Sequence, residues 1–212
     1  MQAIQINPDS RVLQGLSTFL AFVGLNVLFL LCCLPVVTIP AATSALFRVT
    51  IRYSDDELGR PFRDYLPAFA ASFLQATAVG FAFLLPAALL VFSGVFWFSA
   101  ATVIGAVAGA LALLAAGYAF AAFLYGMAVV AQYRSPVRRT IRNALLLPAA
   151  EPVRTTGILL IPITAVSLSI IFPAFLLLVL TIVCSAGAFV AALLFRSVFA
   201  RLATTAPAEA AA

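Results

Sequence analysis

The chain has no histidine and no lysine, and only 9% of its residues carry charge, against about 25% in ordinary soluble domains. Without histidine there is no His-ligated haem, no His-containing zinc site and no imidazole acid–base catalysis. Glycine-rich phosphate loops and dinucleotide fingerprints are also missing, and no serine has a base partner in a recognisable motif. Three cysteines make no disulfide framework; Cys32, Cys33 and Cys184 all sit in apolar stretches, where they read as small packing residues. No metal and no cofactor is expected, and the chain reads as non-enzymatic.

Charge is also unevenly spread. Residues 12–47, 65–133 and 155–195 contain no ionisable acid or base of the Asp, Glu, Arg or Lys type. A soluble helix needs a polar face, whereas a membrane span wants about 20 apolar residues, and a central charge costs roughly 2.5–3.5 kcal/mol. With 65% hydrophobic residues, the chain is expected to be an all-α, polytopic transmembrane helical bundle.

Five spans are expected. The first is Leu16–Val37, read as a retained helix because it is longer than a typical signal core. The second and third are Ala68–Phe92 and Ala101–Gln132, separated at Ser93–Ala100, where Phe92, Phe96, Trp97 and Phe98 suggest an interfacial belt. Residues 155–195 hold the last two, with Pro173 near their turn. The positive-inside rule then places the N-terminus outside and the C-terminus inside, eleven arginines lying inside against Arg11 alone outside. Short interfacial cytoplasmic helices are expected at Ser44–Ser54 and Pro136–Leu147. Residues 1–203 form a single membrane domain and 204–212 an alanine- and proline-rich disordered tail.

Arg48, Arg52, Arg63, Arg138, Arg139 and Arg142 are the candidate cytoplasmic contacts, to anionic lipid headgroups or to a protein partner. Nucleic acid is not expected. Asp55, Asp56 and Glu57 are consecutive and read as a solvated turn, since metal cages need spaced ligands. No carboxylate falls inside a span, which weighs against ion-coupled transport. Polar residues within spans are Asn26, Gln75, Tyr118, Tyr125 and Gln132, either bonding to neighbouring helices or lining a path. Gly105 and Gly109 match the small-residue packing motif, and Gly117 extends the same face. Pro35 and Pro40 force the chain out of the first helix, with Thr38, Thr43 and Ser44 placed to satisfy the freed backbone groups.

The segments Asn7-Pro8-Asp9-Ser10, Leu25-Asn26-Val27-Leu28, Leu31–Leu46, Arg60–Tyr65 and Phe73–Thr77 resemble the opening of the YesL family of small bacterial membrane proteins. The likeness returns more loosely at Ile141–Leu147 and Pro152–Thr155. Pro40 stands where that family commonly has glycine, and Pro67 interrupts a segment usually helical there. The resemblance implies an integral membrane protein of undefined activity, often encoded beside carbohydrate ABC importers. It makes an ABC permease subunit a candidate partner, with a second copy of the chain as another. Two functions follow as expectations: an accessory component of carbohydrate uptake, or a small-solute transporter or channel acting alone.

Overall fold

The computed structural model describes residues 11–54, 61–133 and 135–209, with side-chain surroundings for 15–54, 62–133 and 135–198. Asp55, Asp56, Glu57, Arg60 and Arg134 lie outside the described residues. Every regular element among those described is helical: α1 Arg11–Cys33, a short 3-10 turn Val36–Thr38, α2 Ile39–Ser54, α3 Pro61–Ser99, α4 Val103–Gln132, α5 Val137–Ala150 and α6 Pro152–Ile171. The last apolar stretch is built of three consecutive pieces, α7 Phe175–Leu178, a π turn Val179–Val183 and α8 Cys184–Glu209. Five helices are long and apolar enough to cross a membrane. Large apolar side chains such as Leu74, Leu85, Phe92, Val103, Leu114 and Ile170 lie on the outer surface, an arrangement stable in hydrocarbon and untenable in water. The molecule is a multi-pass membrane protein.

The expected boundaries shift in physically informative ways. The first helix stops at Cys33 rather than Val37, and Thr38 Oγ1 donates to the carbonyls of Cys32 and Pro35, 2.5 and 2.6 Å away. Thr43 instead donates to Ile39 within its own helix, and the Ser44 hydroxyl is buried with no partner among the described residues. The second span runs from Pro61 to Ser99, about 58 Å at roughly 1.5 Å per residue, far beyond Ala68–Phe92. It continues through Pro67 and Pro86, as membrane helices can when neighbours re-satisfy the freed carbonyls. The aromatic cluster therefore sits on its final turns, and the chain reverses only at Ala100–Thr102. There Ala101 takes φ 50°, and the Thr102 hydroxyl caps α4 by accepting from the Gly105 N–H at 3.0 Å.

Gly94 and Gly109 let α3 and α4 close on one another. A Cβ on Gly109 would lie 2.8 Å from the Phe98 ring and 3.0 Å from the Gly94 carbonyl oxygen, and one on Gly105 would lie 2.6 Å from the Trp97 carbonyl oxygen. Gly117 does not extend this seam, since nothing lies within 4 Å of the Cβ it lacks.

Ser44–Ser54 is not an interfacial surface segment. It forms most of α2, whose Ala41, Ala42, Ala45, Leu46, Phe47, Val49 and Ile51 are buried against α1, α3, α4 and α8. Small residues allow this, because helices in lipid associate through close contact rather than hydrophobic exclusion. Pro40 presses on α3 where Gly80 leaves room; a Cβ on Gly80 would sit 2.3 Å from the Pro40 Cβ. Tyr65 of α3 is fully buried and donates to the Ala42 carbonyl at 3.2 Å. By contrast α5 is amphipathic as expected, with Arg138, Arg139 and Arg142 exposed, but it packs through Thr140, Ala144 and Leu147 while Leu145 and Leu146 stay outside.

The termini of the bundle lie at one end. Along α1 and the last helix, Asn26 meets Val179 and Leu180, and Phe22 meets Ser185 and Phe189, so the two run antiparallel. Helix α2 doubles back beside α1: Tyr53 at its end stacks edge-on to Phe22 and approaches Thr18 at 3.3 Å. Arg196 donates to the Ser54 carbonyl and Arg154 to the Ser197 carbonyl, tying the middle of α8 to the end of α2 and the start of α6. Helix α2 runs back beside α1, so the start of α1 and the Arg196–Ser197 stretch of the last helix lie at the same end of the described bundle. The backbone of α8 continues as helix to Glu209, where the composition had suggested disorder from residue 204, and 210–212 lie outside the described residues.

Candidate functional site: a pinned π turn beside an intramembrane cavity

In an α-helix each N–H reaches the carbonyl four residues back; in a π turn it reaches five, and the junction leaves backbone groups without helical partners. Residues 179–183 form such a turn inside the last span. Asn26, fully buried on α1, supplies the missing partners. Its Nδ2 donates to the carbonyls of Val179 at 3.0 Å and Leu180 at 2.8 Å, and its Oδ1 accepts from the Ser185 N–H at 3.0 Å. Ser185, also fully buried, returns the link by donating from Oγ to the Phe22 carbonyl at 2.9 Å. One asparagine thus uses both faces of its amide to hold an irregular backbone at membrane depth.

Against this turn lies a cavity of about 500 Å³, within the roughly 300–1,000 Å³ range of small-molecule sites. Its floor is made by buried Leu46, Phe47, Ile158 and Ala191, and its rim by exposed Val166, Ile170 and Leu176, so it opens sideways between α6 and the last span. Val179, Val183 and Cys184 of the pinned segment form one wall. Its few polar groups look inward to their own helices: Thr43 donates to Ile39 and Ser169 to Ala165, at 2.8 and 2.7 Å. Such a lining accommodates hydrocarbon and offers a polar solute no unpaired hydroxyl donor from either residue.

The remaining intramembrane polar candidates do not converge on this cavity. Gln75 donates to the Ser135 carbonyl at 2.6 Å, tying α3 to the segment after α4. Tyr118 donates to the Leu145 carbonyl, and buried Tyr125 shares a 3.2 Å hydrogen bond with Thr155. Gln132 is exposed at the end of α4. Among the candidate cation contacts, Arg48 is half-buried, whereas Arg52, Arg63, Arg138, Arg139 and Arg142 are exposed. Pro35 is exposed in the turn, Thr38 half-buried, and Pro40 buried against Gly80. Sequence reasoning passed over Ser185, Thr155, Tyr65 and Gly80. A serine beside Cys184 in an otherwise apolar span was a visible signal for the first; for the others only the partner helix reveals the role.

A family model described as a protein of unknown function, DUF624, matches residues 22–94. The matched third of the chain carries Asn26, the Pro35–Pro40 turn, the central helix α2 and most of α3. No curated protein and no solved structure matches the chain. Fold and family similarity together describe an integral membrane protein of unknown function.

Proposed function

We propose that this protein is a non-enzymatic accessory component of a bacterial plasma-membrane system for carbohydrate uptake, with an ABC permease as its partner. The observation that supports this over autonomous transport is the use made of Asn26. Its amide, the deepest polar group on α1, is consumed by Val179, Leu180 and Ser185. Gln75, Tyr118 and Tyr125 are likewise engaged in helix-to-helix bonds. A sugar or ion path needs polar groups facing a lumen, and these face protein backbone or, for Tyr125, the Thr155 hydroxyl. The link to carbohydrate uptake rests on the resemblance to YesL proteins. The competing reading, a small transporter or channel, draws support from the cavity beside the π turn.

In the same reading the arginine-bearing end faces the cytoplasm, so both termini are cytoplasmic and α2 is a return pass shielded by its neighbours. That places all twelve arginines of the chain on one side. Reporter fusions at residues 1 and 212, or thiol labelling of cysteines introduced at 59 and 137, read the sidedness directly. Labelling of the N-terminus from outside the cell refutes it.

Function is tested by affinity purification from native membranes in mild detergent, followed by uptake assays in proteoliposomes. Recovery of a permease with no uptake by the protein alone is the expected result. Solute uptake by the protein alone, abolished by Asn26→Leu, overturns the accessory reading.

A further inference from the structure

We propose that the outward face of α5 is a docking surface for anionic phospholipids, with headgroup phosphates on Arg138, Arg139 and Arg142 and acyl chains against Leu145 and Leu146. The helix carries arginine and leucine on one face. Thr140, Ala144 and Leu147 turn inward, so Arg138, Arg142, Leu145 and Ala149, three and four residues apart, point outward together, with Arg139 and Leu146 beside them. Leu145 is 43% exposed and Leu146 58%, against 8% for Leu147.

Depth sorts the two kinds of side chain. The helix starts just after Ser135, whose carbonyl accepts from Gln75, and runs back along α4. A Cβ on Gly126 would lie 3.5 Å from the Ala144 Cβ, and Tyr118 donates to the Leu145 carbonyl. Gly126 and Tyr118 stand roughly two and four turns back from the end of α4 at Gln132. Leu145 and Leu146 therefore lie beside the membrane-spanning part of α4, and Arg138 and Arg139 lie near its end. A face that changes from arginine to leucine in this direction crosses the headgroup region obliquely. A dissolved anion would leave both leucines without a partner, whereas a phospholipid supplies phosphate and hydrocarbon in the same order.

The positive charge of this face is not consumed within the protein. The guanidinium groups of Arg138, Arg139 and Arg142 make no hydrogen bond or ion pair among the described residues, whereas Arg154 and Arg196 are tied to the Ser197 and Ser54 carbonyls. Pro136 at the N-cap offers no side-chain acceptor, so the first N–H groups of α5 add to the positive end. Carboxylates are absent from residues 65–150, which span α4, α5 and α3 beyond Asp64. Asp64 precedes Gln75 on α3 by about three turns, and Glu151 closes the far end of α5 and faces Arg154 at 3.4 Å. Asp55, Asp56 and Glu57 follow α2 in the sequence, and α2 ends against Thr18 of α1 and Arg196 of α8. The planar fork of a guanidinium matches phosphate, and choline lipids, neutral overall, gain little from it.

The test uses the full chain purified in detergent and titrated with phosphatidylglycerol or phosphatidylcholine, bound lipid being counted by native mass spectrometry. At roughly fivefold per arginine, phosphatidylglycerol is expected to be preferred about a hundredfold. Arg142→Gln is expected to cut that preference about fivefold, and Gln at 138, 139 and 142 together to erase it. Inorganic phosphate at the lipid's concentration is expected not to displace it. A second arm needs no variant of α5: wild-type protein is illuminated with phosphatidylglycerol carrying a photoactivatable headgroup, and adducts concentrated on residues 137–146 support the site. A photoreactive side chain at 139 in native membranes is expected to capture lipid. Equal retention of the two lipids, a preference unchanged in the triple variant, or displacement by inorganic phosphate overturns the proposal. So do headgroup adducts spread evenly over α3 and α4, or capture of protein alone at 139.

Discussion

Replacing Asn26 by leucine keeps the number and branching of side-chain heavy atoms and removes all three of its hydrogen bonds to the last span. Interhelical polar contacts in membranes are worth about 0.6–2 kcal/mol each, so three lost together cost roughly 2–6 kcal/mol. The upper part of that range applies if the carbonyls of Val179 and Leu180 and the N–H of Ser185 stay orphaned. The lower part applies if residues 179–183 relax into a regular α-helix, which recovers the bonds but rotates one half of the span relative to the other. Either way the effect is local to α1 and the π turn. The assay is thermal unfolding in detergent followed by circular dichroism, with hydrogen exchange of residues 179–185 read by mass spectrometry. A fall of roughly 4–24 °C is expected, at about 2–4 °C per kcal/mol for a chain of this length. Amides 179–185 are expected to change their exchange rates while those of α4 do not. A variant that melts with the wild type and exchanges identically at those amides refutes the clamp.

Two further substitutions probe the central helix and the hairpin tip. Gly80→Ala drives a methyl group to 2.3 Å from the Pro40 Cβ and is expected to cost about 1–3 kcal/mol, as overpacking does. Adding Pro40→Gly should restore much of that loss, and unfolding of the single and double variants in detergent measures the coupling. Ala101→Gly relieves a left-handed backbone that costs an L-residue about 1–2 kcal/mol, so it is expected to raise the melting temperature by a few degrees. An unchanged or lower melting temperature refutes that account.

Much of the architecture was visible in residue order alone. Long charge-free runs announced membrane spans because charge at mid-depth is costly wherever the helix packs. The turn at Pro173 and the exit from the first helix near Pro35 followed from the backbone limits of proline. Pro67, read as an interruption, lies inside α3, since in lipid neighbouring groups re-satisfy freed carbonyls. Asn26 was identifiable as an unusual polar residue in a span, but its partners, more than 150 residues away in the chain, were not.

Medium and helix content belong to the sequence, because both are set by what each short stretch carries: apolar length, charge and the backbone limits of proline. Pairing belongs to the tertiary structure. Helix α2 carries two arginines and is only sixteen residues long, so by composition it resembles a surface segment. Its burial comes from Pro40, Ala42 and Phe47 meeting Gly80, Tyr65 and Phe195 on other helices, and such complementarity has no signature within one stretch. The same cause moved the first and last helix ends to one side. Whether a short helix turns back beside its predecessor or lies on the surface depends on contacts that exist only once the remaining helices surround it.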